Sequence, residues 1–157
     1  MCGKASLEAV EAIGCGVLGE GFQIDADLLP VLPDRLLEGQ ETFARTGGLH
    51  AAGLFDSDGR CLHVREDVGR HNAVDKVLGH ALLERGIPAS DRVLVVSGRA
   101  SFELVQKAVM AGVPMLVAVG APSSLAVDLA RRSRQTLVGF ARDGGFNIYS
   151  NPDRVRD

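Results

Sequence analysis

The feature that most constrains this chain is an alternation that begins near residue 90. Apolar runs at 93–96 and 115–119, and a mostly apolar one at 136–140, are separated by helical stretches at 101–111 and 124–132. A strand that is apolar at every position has no wet face and must be covered on both sides. Strands joined through helices of ten or so residues run parallel. The two middle units are in phase: Ser97 and Gly120 end their strands, and Ser101 and Ser124 open the helices that follow. Tandem strand–helix units look alike for that reason alone, so no duplicated function is read into the match.

Upstream, residues 49–55 and 60–66 are two strand-like runs around Asp56-Ser57-Asp58-Gly59, and Asp-Gly in such a gap signals a hairpin. From 69 to 86, Val74, Val77, Leu78, Ala81 and Leu82 recur at helical spacing. Leu7, Val10 and Ile13 predict a helix over 4–15, and Pro33 opens another that runs to about residue 45 before Thr46-Gly47-Gly48 ends it. Residues 147–157 are expected to add an edge strand and then fray. At 157 residues the chain is one domain's worth, enough to bury roughly 70% of its unfolded surface. The expected fold is α/β, a hairpin followed by αβαβαβ with a mixed sheet.

Composition removes several function classes. Lys plus Arg (17) against Asp plus Glu (20) gives a net charge of −3, where a general nucleic-acid binder carries a basic field. One Tyr, six Phe and no Trp leave little for stacking on bases. No apolar run reaches the ~18 residues that span a bilayer, so the expected setting is the cytoplasm, with neither nucleic acid nor membrane as partner. The three cysteines, Cys2, Cys15 and Cys61, are too few and too widely spaced for a disulfide framework or a structural zinc site; no metal is expected. Cys15 and Cys61 read as buried small hydrophobes, and Cys2 as a mobile, exposed thiol.

Candidate chemistry gathers where the topology predicts a crevice, outside the carboxyl ends of the parallel strands. In Ser97-Gly98-Arg99-Ala100-Ser101, Gly98 admits a ligand to the backbone. Ser101 can cap a helix whose first N–H groups suit an anion, and Arg99 adds a planar donor fork. The same string also reads as ordinary helix-start punctuation. Asp67, His71 and Asp75 are four apart, on one helical face if the helix starts early enough, where a carboxylate fixes the histidine tautomer; a solvated polar stripe is the plainer reading. His50 either faces the same crevice or sits on an exposed loop, while His63 and His80 read as ordinary surface residues. Gly139-Phe140-Ala141-Arg142 offers a ring to stack on and a charge to grip a phosphate. Arg70, Arg99 and Arg142 around one crevice favour a phosphorylated or nucleotide-bearing small ligand.

Taken together, C-G-K-A-S at 2–6, T-G-G-L-H-A-A at 46–52, R-E-D-V-G-R-H-N-A-V-D-K-V at 65–77, S-x-R-x-S-x-E-L-V-x-K at 97–107 and G-F-x-R at 139–142 resemble the FdhD family of formate dehydrogenase accessory sulfurtransferases. The resemblance runs from Cys2 to about residue 152. It implies a cytidine-deaminase-like, three-layer α/β/α fold. The deaminase zinc signature is missing, and no deaminase activity is expected. It also implies a cytosolic homodimer that takes persulfide sulfur from a cysteine desulfurase. That sulfur passes to a molybdenum bis(molybdopterin guanine dinucleotide) cofactor, carried as cargo before insertion into formate dehydrogenase. On this resemblance residues 1–157 are the family's carboxyl-terminal domain without its amino-terminal subdomain, and Cys2 matches the second cysteine of a C-G-x-C-G loop. Cys2 is then the candidate persulfide carrier, and Lys4, Arg70 and His71 are candidate cations to lower its pKa. Ser97, Arg99, Ser101, Arg70, His71 and Gly139 to Arg142 hold the guanine dinucleotide. The alternative is a cofactor-binding chaperone without sulfur transfer.

Overall fold

A computed structural model describes residues 16–157. Its elements are β1 (Ile24–Asp25), a 3-10 helix (Ala26–Val31), α1 (Leu32–Glu38), α2 (Glu41–Thr46), β2 (His50–Phe55), β3 (Cys61–Asp67), α3 (Arg70–Leu83), β4 (Val93–Val96), α4 (Phe102–Met110), β5 (Met115–Ala118), α5 (Ser124–Arg132), β6 (Thr136–Arg142), β7 (Gly145–Ser150), a second 3-10 helix (Pro152–Arg154) and β8 (Val155–Arg156). Six strands form one sheet in the order β3-β2-β4-β5-β6-β7. The central trio β4, β5 and β6 is parallel, and β2, β3 and β7 run antiparallel to their neighbours.

The uninterrupted apolar runs make this a three-layer structure. Because side chains alternate across a strand, Leu94, Val96, Leu116 and Ala118 join Val77, Val105 and Leu129 from α3, α4 and α5 in one core. Their neighbours Val93, Val95, Met115 and Val117 join Leu29, Leu32 and Leu36 in a second core on the opposite face. Each buried aliphatic side chain contributes about 1.5–3 kcal/mol over leaving it exposed, so the parallel trio is the most firmly held part of the sheet. No described helix is long and apolar enough to cross a membrane.

Several expectations need correction. The helix expected over 33–45 is two helices, separated by Gly39 and Gln40, and the backbone leaves the helical region at Gln40. A Cβ on Gly39 would lie 2.8 Å from Val64 Cγ2, so the chain turns there at close contact with β3. Glu66 of β3 then accepts the N–H groups of Thr42 and Phe43 at 2.9 and 2.8 Å and starts the second helix. The tail does not fray. Asn151 donates its side-chain amide to Ala130 O and Gln135 O, Arg154 donates to Arg134 O, and β8 pairs with β1. Cys61 lies on a strand as expected but is exposed, because β3 is an edge strand. The helix expected over 4–15, with Cys2 and Cys15, lies outside the described residues.

Candidate functional site

The carboxyl ends of β4, β5 and β6 are bound into a ladder that continues past the strands. Gly120 N–H donates to Gly98 O at 3.0 Å, and Phe140 N–H donates to Gly120 O at 3.2 Å. This approach requires glycine at two places. A Cβ on Gly120 would lie 2.8 Å from Arg99 Cγ and 3.2 Å from its backbone; one on Gly139 would lie 2.9 Å from both Pro122 and Tyr149. The register of β6 with β7 slips between Gly139 and Arg142, and within that bulge Phe140 is left-handed, with φ +52°. A bulky residue held there costs on the order of 1–3 kcal/mol. The conformation turns the Phe140 ring out, over one-third exposed, with the Arg142 guanidinium 5.9 Å from its centroid, within cation–π range. Ala141 between them is buried in the second core, so it offers the crevice no side chain.

The second group of residues lies where α3 and α4 begin. Asp67 is the last residue of β3, not part of α3, and so does not orient His71. It accepts from Lys76 Nζ at 2.6 Å, Gly69 N–H at 2.9 Å and Asn72 Nδ2 at 3.2 Å. The Lys76 hydrogen bond first, then those from Gly69 and Asn72, hold its carboxyl at about 2. Asp75 pairs with Lys107 at 2.6 Å. His71 instead faces Ser101 Oγ at 3.2 Å and Glu103 Oε2 at 3.8 Å from its Nε2. The Glu103 carboxyl is held below its ordinary value, chiefly by its own backbone N–H, with Ser101, His71 and Arg70 adding to this against partial burial. Ser101 occupies the N-cap position of α4 but makes no cap hydrogen bond; its hydroxyl is turned to His71.

These groups border two hollows. One, of about 530 Å³, is lined by His50, Ser97 and Arg142 together with Gln40, Phe43 and Leu37. The other, of about 270 Å³, is lined by Arg70, Arg99, Ser101 and Ser123. The three arginines expected around one crevice are thus divided between its two sides. Ser97 has its hydroxyl engaged, accepting Ala51 N–H at 2.9 Å, and His50 faces the larger hollow as the first residue of β2. Glu103 stands in the motif at 97–107 but carries no site role in the sequence reading. An acid two residues past a helix-start serine is the signal that would have found it. Cys2 lies outside the described residues.

A mixed sheet covered on both faces, whose parallel strands end between Arg142 and an outturned ring on one side and Arg70 and Arg99 on the other, defines a three-layer α/β domain. The FdhD/NarQ family profile matches residues 1–156. The chain is 59% identical over 157 residues to a sulfur carrier protein FdhD of Nocardia farcinica, covering 99% of this chain and 56% of that protein. It is 46% identical over 155 residues to the protein of that name from Sulfurisphaera tokodaii, covering 99% of this chain and 59% of that one. A crystal structure from Desulfotalea psychrophila, described as a formate dehydrogenase accessory protein, superposes with a TM-score of 0.83 at 31% identity, over 98% of this chain and 64% of that one. The chain belongs to the FdhD/NarQ family, as its motifs imply. It spans about half the length of the curated relatives it matches.

Proposed function

We propose that this chain is the cofactor-binding part of a sulfur carrier required for formate dehydrogenase activity, working in the cytoplasm as a homodimer. It takes sulfur from a cysteine desulfurase and passes it to a molybdenum bis(molybdopterin guanine dinucleotide) cofactor held as cargo. The observation that carries the reading is the Phe140–Arg142 pair. A strained, outturned ring beside a guanidinium, at the end of a glycine ladder, is arranged to stack a base and grip its phosphates. Arg70 and Arg99 on the other side of the ladder supply further positive charge in a chain whose net charge is −3. The names carried by its relatives support the same role.

The sulfur step falls to Cys2. Its thiolate attacks the outer sulfur of the desulfurase persulfide. That sulfur–sulfur bond breaks, the desulfurase cysteine leaves as a thiolate, and the sulfane sulfur stays on Cys2 with no net oxidation. The cofactor, held as cargo, would supply the metal that receives the sulfur together with the two electrons that take it from sulfane to sulfide; this chain's residues would bind and orient it. The test is to mix the chain with a persulfide-loaded desulfurase and locate sulfane sulfur by mass spectrometry. Sulfur on Cys2, lost in Cys2→Ser, is the expected result. No sulfur on the unsubstituted chain would leave a cofactor-binding chaperone in its place.

A further inference from the structure

We propose that His63, His80 and Glu84 form a binding site for one divalent cation of the zinc type, at the end of the sheet opposite the crevice. His63 lies on β3, and His80 and Glu84 are one helical turn apart at the carboxyl end of α3. One donor atom from each lies within 4.8 Å of both others. The Glu84 carboxylate sits between the two rings, with one oxygen 3.2 Å from His63 Nε2 and the other 3.3 Å from His80 Nε2. In a tetrahedral zinc site with metal–ligand bonds near 2.1 Å, neighbouring donors are about 3.4 Å apart. Each nitrogen–oxygen separation has the length of one edge of such a polyhedron, the two being made to different oxygens of the carboxylate.

The surroundings fit a cation better than a chance surface cluster. The imidazoles are partly buried and packed edge to face with centroids 4.3 Å apart, and His63 and Glu84 line a hollow of about 290 Å³ with Leu54, Leu62, Ala81 and the cationic Arg92. Glu84 is not a fraying helix end. Arg85 after it is left-handed, with φ +60°, and Gly86 N–H closes onto Ala81 O at 2.7 Å. Two imidazoles can share one carboxylate by hydrogen bonding only if each carries its proton on Nε2; a cation replaces both protons at once. Two histidines and a carboxylate suit zinc, and the outward side of Glu84 leaves a position for water. Such an ion would bolt edge strand β3 to α3, the helix whose other end carries Arg70 and His71. This departs from the expectation that the chain holds no metal, and from the reading of His63 and His80 as ordinary surface residues.

The probe is Co²⁺, added to the metal-free full chain and followed by absorption and equilibrium dialysis. One Co²⁺ per chain with visible d–d bands of a four- or five-coordinate ion, and no near-ultraviolet thiolate band, is the expected result. In the folded His63→Asn/His80→Asn double variant the bands should vanish. In Glu84→Gln, which keeps the helix turn, affinity should fall more than about tenfold. Three results would each overturn the site. They are no spectrum beyond that of aqueous Co²⁺, bands that survive in the double variant, or a thiolate band showing that the cysteines bind the ion.

Discussion

The turns after β4 and β5 have nearly the same sequence pattern and the same backbone course, yet their serines do different things. The loops run side by side, with Ala100 N–H donating to Ala121 O at 3.2 Å and Ser123 N–H to Ala100 O at 3.1 Å. After β5, Ser123 caps its helix in the ordinary way, accepting Ala126 N–H at 3.1 Å. After β4, Ser101 gives up that cap and faces His71, and Arg99 fills the space that Gly120 leaves open. A serine spent on its helix start is doing structural work. One withdrawn from the helix and aimed at a histidine and a glutamate leaves its hydroxyl in a polar group beside the ladder.

The sharpest way to break this comparison is to add one methyl group to each turn. Gly120→Ala drives a Cβ into Arg99, including its backbone, and should cost about 1–3 kcal/mol by urea denaturation. Gly98→Ala meets only the edge of the His50 ring at 3.4 Å and should change stability by less than about 0.5 kcal/mol. Equal losses would mean that the two turns are packed alike. Next in size, Ser123→Ala should cost about 1 kcal/mol as a lost cap. Ser101→Ala should cost clearly less while shifting the His71 ring resonances in NMR. A Ser101 variant as unstable as the Ser123 one would make both serines structural.

The smallest effect concerns Asp67, which braces the start of α3 beside the first turn. Its carboxyl is lowered from 3.8 to about 2. The stabilisation it gives is therefore present above pH ~4 and is lost as pH falls through about 2. In Asp67→Asn, the denaturation midpoint should lose that part of its slope between these values. An unchanged acid limb would show that Lys76, Gly69 and Asn72 do not hold the carboxylate in solution.

What was legible in the sequence was whatever local pattern decides. Strand β4 and helix α5 lie where the apolar runs place them, because a fully apolar strand has a single way to be buried. The break at Gly39–Gln40 was not legible: the contact with Val64 and the Glu66 carboxylate that restarts the helix come from β3, more than 20 residues away. The ordered tail likewise depends on carbonyls of residues 130, 134 and 135, which no local pattern reveals. In the site, Phe140 and Arg142 were legible as a ring beside a charge, but the left-handed backbone that turns the ring out follows from the bulge. Spacing placed Asp67 on the helix with His71, and the helix begins three residues too late for that. The division of the arginines between two hollows comes from the ladder itself, which only the fold brings together.

The most direct test of the central claim is calorimetric titration of guanosine diphosphate into this chain and into its Phe140→Ala and Arg142→Ala variants. Phe140→Gly serves as a folding control, since it relieves the left-handed strain and should not lower the denaturation midpoint. The account predicts saturable binding to the unsubstituted chain and its loss in all three variants. Binding that is unchanged by these substitutions, or no binding by the unsubstituted chain, would contradict the guanine-dinucleotide reading of the crevice.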